Sequence, residues 1–172
     1  MWAADPPAPS TMLHTCHVDR IEDRPRETGS VWYQALDGSG WRGYTREDVS
    51  DARWETLTLL KDQSGASLHE TATHHYIVET DVPADAEADF NAWYDTEHLP
   101  GLALVPGTVR AVRYRRTQGH PTYLACYDLV SPDVLGCEAW LAIRGTPWSS
   151  RVRPQFFNTR RTMFRRVDEL PS

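Results

Sequence analysis

Between residues 74 and 170, alternating strands are separated by two well-punctuated helices, and few folds accommodate that order. Residues 74–82, "HHYIVETDV", are β-branched and aromatic and read as a strand. In the next stretch Asp85 can cap a helix, and acids crowd its first turn as the helix dipole prefers. Phe90, Trp93, Tyr94 and His98 recur on one helical face. Pro100 and Gly101 then predict a stop. Residues 107–116 alternate as a strand, "TQGHP" is a turn, and 122–130 form the next strand. Ser131, Pro132 and Gly145 punctuate a second helix at its start and end. Residues 146–157 hold two prolines and read as a loop, and 158–170 as the last strand. The order is β-α-β-β-α-β, which predicts an α+β, ferredoxin-like antiparallel sheet with both helices on one face.

Residues 1–73 are less regular. The first ten predict a disordered leader, with neither the charge nor the apolar run of a signal peptide. Residues 11–21 and 30–36 look like strands, and 45–65 like a helix with Trp54, Leu57 and Leu60 or Lys61 on one side. "VWYQAL…SDARWETL" faintly echoes "TYLACYDL…GCEAWLAI". Residues 11–73 therefore read as a truncated β-β-α half-repeat of the ferredoxin-like domain at 74–172.

The 172 residues carry a net charge of -6, which argues against a nucleic-acid surface. The late basic stretch, 151–166, reads as a solvated edge. No apolar run reaches the roughly 20 residues of a membrane span. Three scattered cysteines, Cys16, Cys126 and Cys137, predict free thiols in a reducing cytoplasm. No G-x-G-x-x-G, Walker, G-x-S-x-G or C-x-x-C-H motif is present, so no cofactor is expected. No ligand spacing predicts a metal.

His98 is the strongest site candidate because an imidazole can carry protons near neutral pH. Tyr94 and Asp95 precede it by one turn, so a helix surface brings the three together, with Asp95 orienting the ring. A last-turn histidine also serves the helix dipole, and that reading stands beside the first. His75 and His74 point to opposite faces of one strand, as do Arg110 and Arg113. His75, Trp93, Tyr123, Arg113 and Trp140 are the expected substrate contacts. The rings supply apolar walls, and arginine can hold a carboxylate or phenolate.

The stretch "FNAWYDTEHLP…VPG…AVRY", 90–114, resembles the EthD-like branch of the dimeric α/β-barrel superfamily. Trp93, Tyr94, Asp95, His98, Leu99, Pro100, Val105, Pro106, Gly107, Arg113 and Tyr114 carry the likeness. The resemblance covers about 100 residues and implies a four-stranded sheet whose open face pairs with a second copy. Relatives include cofactor-free monooxygenases, polyketide cyclases, lactone isomerases, dehydratases and haem-binding members, so it does not choose a reaction.

These readings predict a cytoplasmic, cofactor-independent enzyme. It would isomerise, cyclise or dehydrate a small hydrophobic or aromatic metabolite. His98 would move the proton, Asp95 orient it, and Tyr94 stabilise a developing oxyanion. The alternatives are a binding or accessory protein using the same cavity, and a haem- or oxygen-handling protein. A bare apolar sheet face predicts a two-fold homodimer, since such a face exposed to water would aggregate.

Overall fold

The computed structural model describes residues 12–26 and 29–170. The leader expected at 1–10 lies outside them. Eight strands form one closed antiparallel barrel. They are β1 (Leu13–Val18), β2 (Val31–Ala35), β3 (Trp41–Thr45), β4 (Glu55–Ser64), β5 (His74–Asp81), β6 (Thr108–Arg116), β7 (Tyr123–Leu129) and β8 (Phe157–Val167). Around the barrel the order is β1-β3-β2-β8-β5-β7-β6-β4, and β4 pairs back to β1.

This overturns the expected open, ferredoxin-like sheet with a β-β-α appendage. The first half contributes four strands and closes the barrel at two seams, β2 to β8 and β4 to β6. The sheet face that led to the expectation of a two-fold dimer is covered by the chain's own first half.

The helix expected at 45–65 is absent, and its second half is β4. Its ladder slips between Leu59 and Lys61, leaving Leu60 as the extra residue of a β-bulge. The bulge shifts the alternation by one residue. Leu57 faces the barrel interior, whereas Lys61, which strict alternation would place beside it, turns outward opposite Arg113. A broken period of two mimicked a helical period.

Alternation gives the barrel two distinct faces. Inward lie Leu13, Tyr33, Tyr44, Leu57, Ile77, Val112, Tyr114, Leu124, Cys126 and Phe164. Outward from β5, β6 and β7 lie Tyr76, Ala111, Tyr123, Ala125, Tyr127 and Leu129, and the helices pack on these. Trp32 and Trp54 form a smaller cluster with Cys16, Val18 and Ile21 outside the first-half strands. No helix among the described residues is long and apolar enough to cross a membrane.

The helices are short: α1 (Glu87–Trp93), α2 (Leu99–Ala103), α3 (Glu138–Arg144) and α4 (Pro147–Val152). Ala86, not Asp85, precedes the first turn, without a side-chain cap. Ser131 caps only a single 3₁₀ turn, its hydroxyl accepting from Asp133 N–H. The expected loop at 146–157 instead opens with α4, capped by the Thr146 hydroxyl on Ser149 N–H. Gly107, at φ 94°, turns the chain from α2 into β6. An added Cβ there would sit 2.4 Å from a Val134 methyl.

Candidate functional site

Between α1 and α2 the chain makes a π turn, Tyr94–His98, where Leu99 N–H reaches back five residues to the Tyr94 carbonyl. Pro100 has no N–H, so the Asp95 carbonyl has no backbone donor in that ladder. Lys61, aimed outward by the bulge, donates to it. The helix therefore passes through Pro100–Gly101 and ends at Ala103, instead of stopping at the proline.

The two acids of the turn are braces. Asp95 pairs with Arg113 at 2.9 Å, and Arg113 also donates to Asn91 at 2.7 Å. Arg113 is 1% exposed and lies 4.4 Å from the centre of the Tyr94 ring, with Phe90 and Tyr123 alongside. Glu97 accepts from the Thr146 hydroxyl at 2.5 Å, tying the π turn to α4. Asp95 therefore does not orient His98; its carboxylate is committed to Arg113.

His98 is 6% exposed and stacks on Trp93 at 4.1 Å between ring centres, with Tyr94 edge-on at 5.2 Å. Both rings lie on the face predicted from their spacing. The burial is deeper than a position at a helix end suggests. Burial first, and then the charges of Arg153, Arg144 and Arg113, push the imidazole down to about 3, so it is neutral at neutral pH.

These residues open onto a cleft between helices and sheet, about 360 Å³ counting its mouth. Tyr76, Tyr127, Trp140 and Phe156 complete its aromatic walls, and Arg144, Arg153 and Arg161 its polar side. Three buried polar atoms of the lining have no hydrogen-bond partner: Trp93 Nε1, His98 Nδ1 and Tyr127 Oη. Such atoms are costly to bury unpaired. Burial holds the Tyr94 phenol up at about 12 and pushes Tyr127 higher still, so both remain donors. None of the three arginines has an ion-pair partner among the described residues. Burial, Arg144 and Arg161 together hold Arg153 below its usual value.

Of the expected residues, His98, Tyr94, Trp93 and Trp140 meet at this cleft. Arg113 and Asp95 lie beneath it as a brace. Tyr123 packs on Phe90 and donates to Glu87. His75 is on the opposite face of the sheet, inside the barrel. The arginines were missed: 151–166 read as a solvated edge, yet Arg153 and Arg161 line the cleft. No cluster able to hold a metal occurs among the described residues.

Trp93 is 0% exposed and touches Tyr94, His98 and Phe156. Trp93→Ala is expected to cost about 3–5 kcal/mol in urea unfolding. A loss below about 1 kcal/mol would remove the indole from the packing core.

No family model matches the sequence, and no curated protein matches it significantly. Solved structures do resemble it. A major regulator of staphylococcal pathogenesis aligns over 91% of this chain and 99% of its own at TM-score 0.62 and 9% identity. The haem-degrading enzyme of Listeria monocytogenes aligns over 90% and 98% at TM-score 0.58 and 8% identity. An anthrone oxidase-like protein aligns over 91% and 90% at TM-score 0.58 and 13% identity. At such identities what this chain shares with these structures is the fold.

Proposed function

We propose that the helix-side cleft takes a small aromatic molecule bearing an acidic group and moves a proton on it, with His98 as the proton carrier. One observation supports this reading: three unpartnered buried polar atoms and three unpaired arginines converge on one aromatic-walled cleft. Rings fit the walls, a carboxylate or phenolate fits the arginines, and an oxygen developing charge fits Tyr127 Oη and Trp93 Nε1.

His98 without a ligand is a weak base. Its basicity is suppressed by burial and by arginine charges. An anion seated on those arginines offsets their repulsion, so base strength rises when substrate arrives. The neutral imidazole is there throughout, and the bound anion makes it a stronger acceptor. The proton chemistry accords with isomerisation, cyclisation or dehydration, and the 90–114 motif keeps the EthD-like branch as the proposed lineage.

The haem alternative draws on the same features, and on one fold neighbour being a haem-degrading enzyme. A neutral imidazole with an unpartnered nitrogen suits iron, and arginines suit propionates. Trp93 stacks on the His98 ring at 4.1 Å between centres, in a cleft of about 360 Å³ including its mouth, which is tight for a porphyrin. No step is assigned to haem.

Calorimetric titration with benzoate and with benzyl alcohol tests ligand class. Benzoate is expected to bind, benzyl alcohol to bind more weakly, and Arg153→Ala to lower benzoate affinity about tenfold, the scale of one charge-assisted hydrogen bond. Deuterium uptake from heavy water by an aryl keto acid tests chemistry. His98→Gln is expected to slow it by about 100-fold or more. Binding without exchange would favour the accessory-protein reading, and a Soret band on haem addition the haem reading.

A further inference from the structure

A second cleft lies on the other face of the sheet, inside the barrel. It also measures about 360 Å³ counting its mouth. Its walls are Leu13, Tyr33, Val112, Tyr114 and Cys126. Across it runs a chain of hydrogen bonds: Asp128 to His75 Nδ1 at 2.7 Å, and His75 Nε2 to the Tyr44 hydroxyl at 2.9 Å. Each of these side chains also lines the cleft.

The hydrogen-bond chain has a direction. The Asp128 carboxylate only accepts, so His75 Nδ1 carries its proton. Nε2 then offers a lone pair, and the Tyr44 hydroxyl donates to it. This leaves the Tyr44 oxygen able to accept from a molecule in the cleft. The relay is held rigidly: Tyr33 lies on the His75 ring at 4.9 Å between centres, and Tyr44 sits edge-on at 5.4 Å. A cation, Arg110, also lines the cleft while chelated by Asp62 at 2.8 and 2.5 Å.

We propose that the barrel interior is a second site, binding a small phenol and taking its proton through Tyr44 and His75. The ligand O–H bond breaks and its proton goes to Tyr44 Oη. The Tyr44 proton passes to His75 Nε2. The products are a phenolate, hydrogen-bonded by the regenerated Tyr44 hydroxyl, and an imidazolium held by Asp128. One proton has moved and no oxidant or reductant is needed. A hydroxyl-bearing ring fits because the walls are tyrosine rings and aliphatic groups, with polar groups gathered at the relay. The groups facing His75 are Tyr33 on β2, Tyr44 on β3, Arg110 and Tyr114 on β6, and Cys126 and Asp128 on β7. Burial keeps the Cys126 thiol protonated, at about 12, so it does not compete as a base.

This site is separate from the helix-side cleft. Tyr76 and Tyr127 face the helices, while their strand neighbours His75 and Asp128 face the barrel interior. Nothing in the proposal depends on the arginine cleft.

The test uses 4-nitrophenol, whose phenolate absorbs apart from the protein. At a pH about one unit below the free probe's ionisation, adding the full chain is expected to increase the phenolate band. The ionised-to-neutral ratio of the bound probe should rise about tenfold or more. Tyr44→Phe removes the acceptor oxygen and should abolish that rise. Asp128→Asn should also abolish it; its side chain is a quarter exposed, so it serves if the first variant fails to fold. Either variant retaining the full band in folded protein, or no binding at millimolar probe, overturns the proposal.

Discussion

Glu79→Ala is expected to destabilise the barrel by about 3–5 kcal/mol, enough to unfold a domain of ordinary stability. Glu79 is 2% exposed and sits between two cations, with Arg42 and Arg116 each at 2.9 Å. Arg160 stands farther off at 3.8 Å. Burial raises this carboxyl, but Arg42, Arg116 and Arg160 outweigh it and hold it below the usual glutamate value. Removing the anion strands two buried guanidinium groups, leaving Arg116 with Glu55 at 2.7 Å and the Pro121 carbonyl. Arg42 keeps no carboxylate among the described residues. Urea unfolding followed by tryptophan fluorescence measures the loss. A change under about 1 kcal/mol would show that water or rearrangement satisfies the arginines. Glu79→Gln should cost nearly as much, because its shape remains but its charge does not.

The second large effect is a loss of stability in mild acid. The folded-state value of His98 is about 3, below the roughly 6.5 of an unfolded histidine. The unfolded chain therefore binds this proton first. The contribution is complete above about pH 6.5 and drains away as pH falls towards 3. The full difference is on the order of 4–5 kcal/mol. His17 and His74 are lowered too, chiefly by burial, so the wild-type curve sums several groups. The comparison with His98→Gln isolates one. The variant's stability should fall much less between pH 6.5 and 3. Asp81 acts in a separate window. Burial opposes its ionisation, but hydrogen bonds from Thr122, Asn158 and His120 bring it to about 2. Its contribution is lost only below about 3.8. Parallel curves for the two proteins across the upper window would show that His98 is not buried neutral.

The second-half strands were legible because alternation is local, and Phe90, Trp93, Tyr94 and His98 were legible because helical spacing is local too. The barrel was not. Its closure depends on Tyr33 meeting Arg166 and Leu57 meeting Arg116, pairings between distant segments that no window contains. Strand β4 reads as a helix because one bulge at Leu60 disguises its period. The cleft's cations come from α3, the turn after α4, and β8, so no spacing links Arg144, Arg153 and Arg161. The Asp95–His98 pairing assumed regular α-geometry, which the π turn replaces. The Tyr44–His75–Asp128 relay was similarly hidden, since its members lie on three strands.

Closing the barrel with covalently joined halves has a further consequence. Where two separate chains complete a barrel, dilution separates them and every side chain occurs twice. Here the seams form by a first-order event at an effective concentration set by the connecting loop, independent of how much protein is present. The two halves are also free to diverge. Arg42 from one half can meet Glu79 from the other without a mirrored copy elsewhere, and one half can shed its helices while the other keeps them. A single continuous chain can thus specialise two faces of one sheet independently, with a cationic cleft outside and a tyrosine-walled one within.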